Sequence, residues 1–95
     1  MLVSKNVYEF EWDKGNINKN LIKHKVTNEE SEEAFLDKKR KIFKDVFHSE
    51  KEARYILLGN TKKGRSLYIA FTERNKKIRI ISARNINKKE ASLYK

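Results

Sequence analysis

Arginines stand at Arg54, Arg65, Arg74, Arg79 and Arg84, the last four inside or at the ends of a stretch, Gly64 to Arg84, that is otherwise rich in Leu, Ile, Tyr, Phe and Ala. A guanidinium never loses its charge in a protein, and its planar fork matches a phosphate or carboxylate with two parallel hydrogen bonds. Arg79 is the sharpest case, because Ile78 and Ile80 flank it. A charge placed there is costly unless an anion or an acid meets it. The chemistry on offer is therefore capture of an anion, with Glu73 on the neighbouring arm as the plainer partner for Arg79. Arg65 and Arg74 fall at strand ends, where simple solvation explains them equally well.

The charge balance points the same way. The 95 residues hold 23 Lys plus Arg against 13 Asp plus Glu, a formal net charge of +10, which suits a polyanionic partner such as nucleic acid or an acidic protein surface. A general lysine richness would also raise the charge, but would not place arginines within apolar strands. The length fits one domain, residues 1–95, with one core. Without cysteine, disulfides and thiolate metal sites are excluded. Met1 to Lys5 lacks the apolar core of a signal peptide and no run is long enough to span a bilayer, so a cytoplasmic protein with no membrane partner is expected.

The elements that must position the arginines follow from periodicity. Tyr8 to Trp12 alternates aromatic and acidic residues, which predicts a short strand. Asp13 caps a predicted helix over Lys14 to Lys25, with Ile17, Leu21 and His24 forming one inward stripe. Thr27-Asn28-Glu29-Glu30 is a capping box opening a second helix to about Leu36, with Ala34 and Phe35 facing the core. A strand is expected near Ile42 to Phe47, then a loop over His48 to Glu52, then a buried strand from Arg54 to Asn60 ended by a turn at Thr61 to Gly64. Leu67 to Glu73 and Ile78 to Ala83 read as the arms of a hairpin around Arg74 to Lys77. Asn87-Lys88-Lys89-Glu90 is a second capping box, starting a short closing helix. The expected class is α+β: a small antiparallel sheet with two N-terminal helices and a short C-terminal helix.

Phe10-Glu11-Trp12-Asp13, Asn16, Asn20, Lys23-His24, Glu33-Ala34, Arg54, Gly59, Gly64-Arg65-Ser66-Leu67, Thr72-Glu73-Arg74, Arg79-Ile80-Ile81-Ser82-Ala83-Arg84, Glu90 and Tyr94 together resemble the BrnT toxins. The likeness runs from Tyr8 to Tyr94, and the Arg-Ile-Ile-Ser-Ala-Arg run is its most specific part. It implies a RelE-like fold, a ribonuclease activity, and a BrnA-type antitoxin with a ribbon-helix-helix segment, through which alone operator DNA would be bound. One departure is Lys25, where the family usually carries the glycine that ends the first helix in a left-handed cap.

Metal-free RNA cleavage needs a base for the 2′-hydroxyl, charge stabilisation at the phosphorane and an acid for the leaving oxygen. On that footing Arg54 and Arg79 are expected to stabilise charge, with His24 and Glu73 as proton-transfer groups. Lys23, Arg65, Arg74 and Arg84 are expected to hold the RNA. No cofactor or metal is expected. The plainer alternatives are a hydrogen-bonded core histidine for His24 and a carboxylate that merely fixes an arginine for Glu73. Two other functions fit the composition. One is a non-catalytic nucleic-acid-binding module built on the helix pair Lys14 to Leu36, although the glutamates opening its second helix would repel phosphates. The other is an interaction subunit whose basic face only holds an acidic partner.

Overall fold

The structure, a computed structural model, describes residues 9–47 and 52–94. Its frame is the hairpin of β3 (Ser66–Arg74) and β4 (Lys77–Asn85), turned by Asn75 and Lys76 at φ 51° and 65°. Two consecutive positive φ angles are those of a type I′ turn, whose twist matches that of the flanking strands. β2 (Arg54–Asn60) pairs antiparallel with β3, and β1 (Lys41–Lys44) with β2, giving a four-stranded antiparallel sheet in the order β1-β2-β3-β4. Between Ala70↔Ser82 and Phe71↔Ile80 the register steps by one, so Ile81 is the extra residue of a β-bulge.

Alternation along these strands separates two faces. Leu57, Leu67, Ile69, Phe71, Ile80 and Ala83 share the core face and are buried. α2 (Asn28–Phe35) packs there through Ala34 and Phe35, and the Phe35 ring meets Phe10 and Phe71 edge-on at 5.2 and 5.0 Å. Each such ring contributes roughly 1.5–3 kcal/mol by leaving water. The helix lies so close that a Cβ on Gly59 would sit 2.5 Å from the Ala34 carbonyl oxygen, so Gly59→Ala would push α2 away. The Thr27 capping box forms as expected, with Glu30 N–H donating to Thr27 Oγ1 and Thr27 N–H to Glu30 Oε1.

The opposite face carries Arg54, Ile56 and Leu58 of β2, Tyr68, Ala70 and Thr72 of β3, and Arg79, Ser82 and Arg84 of β4, each set aligned across the strands by register. α3 (Lys88–Tyr94) closes one end of this face, lying against β2. Glu90 holds Arg84 with two hydrogen bonds, and the Tyr94 hydroxyl donates to Asp37. Asn87 and Glu90 complete the second capping box.

Three expectations near the N-terminus are corrected. The strand at Tyr8 to Trp12 is reduced to one parallel bridge, Phe10 to Ile78, and Tyr8 lies outside the described residues, as do Met1 to Lys5 and His48 to Lys51. The first helix is only α1 (Lys19–His24), because Asn18 at φ 56° breaks the run and Lys14 to Asn18 form turns. Its faces are also reversed: Ile17 and Leu21 are 46% and 44% exposed, while Asn16 and Asn20 are 3% and 4% exposed. The reason is polar. Asn16 Nδ2 donates to the carbonyls of Glu11 and Ile80, stitching the N-terminal segment to β4, and that fixes which side of α1 faces the sheet. Asn20 Oδ1 is buried there with no hydrogen-bond partner among the described residues. Lys25 does take the left-handed cap conformation, at φ 57°. β1 also ends at Lys44, short of the expected Phe47, since Val46 and Phe47 form a turn.

Candidate anion site

Thr72 stands opposite Arg54 on one side and Arg79 on the other, so a single row across β2, β3 and β4 places both arginines on the face away from the core. Arg74, next on that face of β3, and Lys19 of α1 join them around a cavity of about 180 Å³. Glu52 also lines it, and Thr72 forms part of its buried wall, its Oγ1 hydroxyl donating to the Ala53 carbonyl at 2.8 Å.

Carboxylates occupy the forks of Arg79 and Arg74. Arg79 donates from Nη1 and Nη2 to Asp13 at 2.8 and 2.9 Å and from Nη1 to Glu11 at 3.1 Å. Asn16 sets this geometry, because its Oδ1 accepts from Asp13 N–H while its amide is fixed on β4. Gly15 packs beside it, and a Cβ there would lie 2.7 Å from Arg79 Nη2 and so displace the guanidinium tip. The Arg79 hydrogen bonds, aided by Gly15 N–H, hold the Asp13 carboxyl below its ordinary range. Arg74 likewise grips Glu52 at 3.0 and 2.8 Å and lowers its pKa. Both acids are thus anions at neutral pH, seated where another bidentate oxyanion would fit.

The other expected residues lie elsewhere. Arg84 is on the same face, two positions along each strand beyond the Ala70–Ser82 pair, but its fork holds Glu90 and its guanidinium lies 4.0 Å over the Tyr68 ring. The hydrogen bond from Arg84 keeps the Glu90 carboxyl below its usual range. Arg65 is a staple at the far end: it donates to the carbonyls of Lys25 and His24, to Glu30 and to Asn85. His24, half-buried, belongs to that end, with Lys23 exposed next to it on α1. From Ser66, beside Arg65, to Thr72, beside Arg79, is six steps along β3, roughly 20 Å. Glu73 pairs in register with Ile78 and so points to the opposite face from Arg79 and Arg74. The structure therefore brings together Arg54, Arg74 and Arg79, and does not bring His24, Lys23, Arg65 or Glu73 to them. Arg79 pairs with Glu11 and Asp13 in place of Glu73.

Sequence reasoning missed Lys19, Glu52 and Thr72 in this site. Thr72 was recoverable by counting back from the Asn75–Lys76 turn; Lys19 and Glu52 depend on distant packing and carry no such signal. Among the described residues no three His, Asp or Glu side chains converge in a way that could hold a metal ion, and no helix is long and apolar enough to cross a membrane. A family model described as the ribonuclease toxin, BrnT, of type II toxin-antitoxin systems matches residues 12–90. No curated protein matches the chain.

Proposed function

Since the chain belongs to the BrnT family of ribonuclease toxins of type II toxin-antitoxin systems, for which an antitoxin partner and an RNA target follow, we propose that it cleaves RNA at the cavity between Arg54, Arg74 and Arg79 without a metal ion. The observation that carries this reading is the convergence of three guanidiniums and Lys19 on one cavity of the open sheet face. A scissile phosphate displaces the Asp13 and Glu52 carboxylates from forks of the same geometry, and the arginines then stabilise the charge that builds on the phosphorane. Glu52, a carboxylate lining the cavity, takes the 2′-hydroxyl proton once the phosphate has replaced it on Arg74. The 2′-oxygen then bonds to phosphorus while the bond to the 5′-oxygen breaks, and the leaving oxygen takes a proton from water. Before RNA binds, the hydrogen bonds from Arg74 keep Glu52 an anion ready to take the 2′-hydroxyl proton, and positioning and electrostatics supply most of the rate. His24 and Glu73 act in the fold and not in the proton transfers, because of where they lie.

Cleavage of cellular RNA by such a site inhibits translation. A BrnA-type antitoxin neutralises it by laying an acidic segment over the arginines, and binds operator DNA with its own ribbon-helix-helix part. The test is cleavage of naked RNA by the partner-free chain in excess EDTA, beside Arg79→Ala, Arg54→Ala and His24→Ala. Cleavage that survives EDTA and His24→Ala but fails in both arginine variants is the expected result. Loss of cleavage in EDTA, restored by a divalent ion, would remove the metal-free mechanism. Tight RNA binding with no cleavage by any variant would leave a binding module.

A further inference from the structure

Phe43 of β1 is 41% exposed on the same sheet face as the arginine cavity. Register places it opposite Ile56, so Arg54 is its diagonal neighbour, roughly 7–8 Å away between backbones. Lys41 shares its face at the start of β1, and Lys38, Lys39 and Lys44 are exposed close by in the chain. Between Phe43 and β4 the same row carries Ile56, Ala70 and Ser82, one step along this face from the Arg54, Thr72 and Arg79 row. Val46 and Phe47, 70% and 85% exposed, extend the apolar surface past the end of the strand.

An exposed ring on a rigid strand has two uses beside such a site: contact with a partner protein, or a platform for a nucleobase. Continuity with a cationic cavity and the surrounding lysines favour the second, because every base offers a flat face while its backbone supplies the charge that lysines seek. We propose that Phe43 stacks a base of single-stranded RNA whose neighbouring phosphate lies in the Arg54–Arg79 cavity, a proposal that rests on the ribonuclease reading above. Lys41 then follows the backbone as the strand leaves the face over β1. From β4 to β1 is three inter-strand spacings, ~14 Å, which a few nucleotides span.

The experiment is equilibrium binding of a short fluorescent 2′-O-methyl single-stranded RNA, which resists cleavage, to the partner-free chain and its variants. Phe43→Ala should weaken binding by roughly 5- to 150-fold, as loss of one stacked base does. Phe43→Trp should restore it. Phe43→Leu, which keeps an apolar side chain and the fold but has no ring, should bind as weakly as Phe43→Ala. The salt dependence separates the roles: Phe43 variants keep the wild-type slope of log K against log salt, and Arg54→Ala lowers it by about 0.7. If Phe43→Leu binds within twofold of wild type while Arg54→Ala is weak, the platform is overturned and the ribonuclease reading stands. If Phe43→Leu binds RNA normally but no longer retains the co-expressed antitoxin, the ring belongs to a protein interface and the proposal fails. Wild-type protein that binds no RNA overturns both readings together.

Discussion

Arg65 and Arg79 occupy the same hairpin and are opposite in kind. Arg65 spends its donors on the carbonyls of His24 and Lys25, on Glu30 and on Asn85, joining the end of α1 to α2 and β4. Those bonds tie three elements together, so a ligand that took the guanidinium would also loosen the junction of α1, α2 and β4. Arg79 is held by Asp13 and Glu11 side chains beside a cavity, and a phosphate presents the same paired oxygens as the carboxylate it replaces. What an arginine is bonded to, and not how many bonds it makes, separates the structural one from the one available for chemistry.

The comparison breaks first at Arg79. Arg79→Ala should lower kcat/KM for RNA by about 10²–10³, the usual loss when one charge-stabilising donor is removed. Its melting temperature should fall less than that of Arg65→Ala, because the part-exposed Glu11 and Asp13 carboxylates it releases rehydrate. Arg79→Lys should recover only part of that, because the charge remains and the fork does not. Arg65→Ala should do the reverse. Losing its hydrogen bonds at a largely buried position, 27% exposed, costs about 2–3 kcal/mol and lowers the melting temperature by about 10 °C, while cleavage per folded molecule is unchanged. Equal losses of activity from both variants in folded protein would remove the distinction.

A pH titration probes the other anchored element. Burial, then the hydrogen bond to Asp37, pushes the Tyr94 hydroxyl up to about 12. The folded state thus favours the neutral phenol. Its contribution is complete below about pH 10, the unfolded value, and fades as pH rises toward 12. Tyrosinate absorbance compared with Tyr94→Phe should show α3 loosening in that window. At Lys25 the expected change is a gain. The residue sits at φ 57°, which costs a side chain about 1 kcal/mol, so Lys25→Gly should raise the melting temperature by about 5 °C. Smallest is Asp13→Asn, which frees the Arg79 fork. It should tighten RNA binding roughly twofold to fivefold, and weaker binding would show that Asp13 positions Arg79 instead of holding its place.

What could be read from the chain was local. Thr27 with Glu30, Asn87 with Glu90, and the hairpin around Asn75–Lys76 are specified by neighbours within a few residues, and all three form. The helix stripe of Ile17, Leu21 and His24 failed because its orientation is decided by Asn16, whose partner Ile80 is 64 positions away. Arg79 was given to Glu73 by proximity in sequence, yet the register that sets Thr72 against Arg79 sends Glu73 to the other face. The staple role of Arg65 leaves no trace in the sequence, since two of its four acceptor residues offer only the backbone carbonyl that every residue has, and Glu30 and Asn85 are twenty or more positions away. Of the site, the arginines were legible from their apolar surroundings; the lysine and acids around them were not, because folding alone assembles those.

The Asn16 stitch also sets a clock. Its acceptor on β4, like Arg79 for Asp13, is made more than sixty residues later than the segment it holds. At ~5–20 residues per second, residues 11–16 leave the ribosome roughly 3–13 s before the strand they need. A nascent chain therefore has no arginine cavity until β4 has emerged, some sixty residues after the segment that closes it.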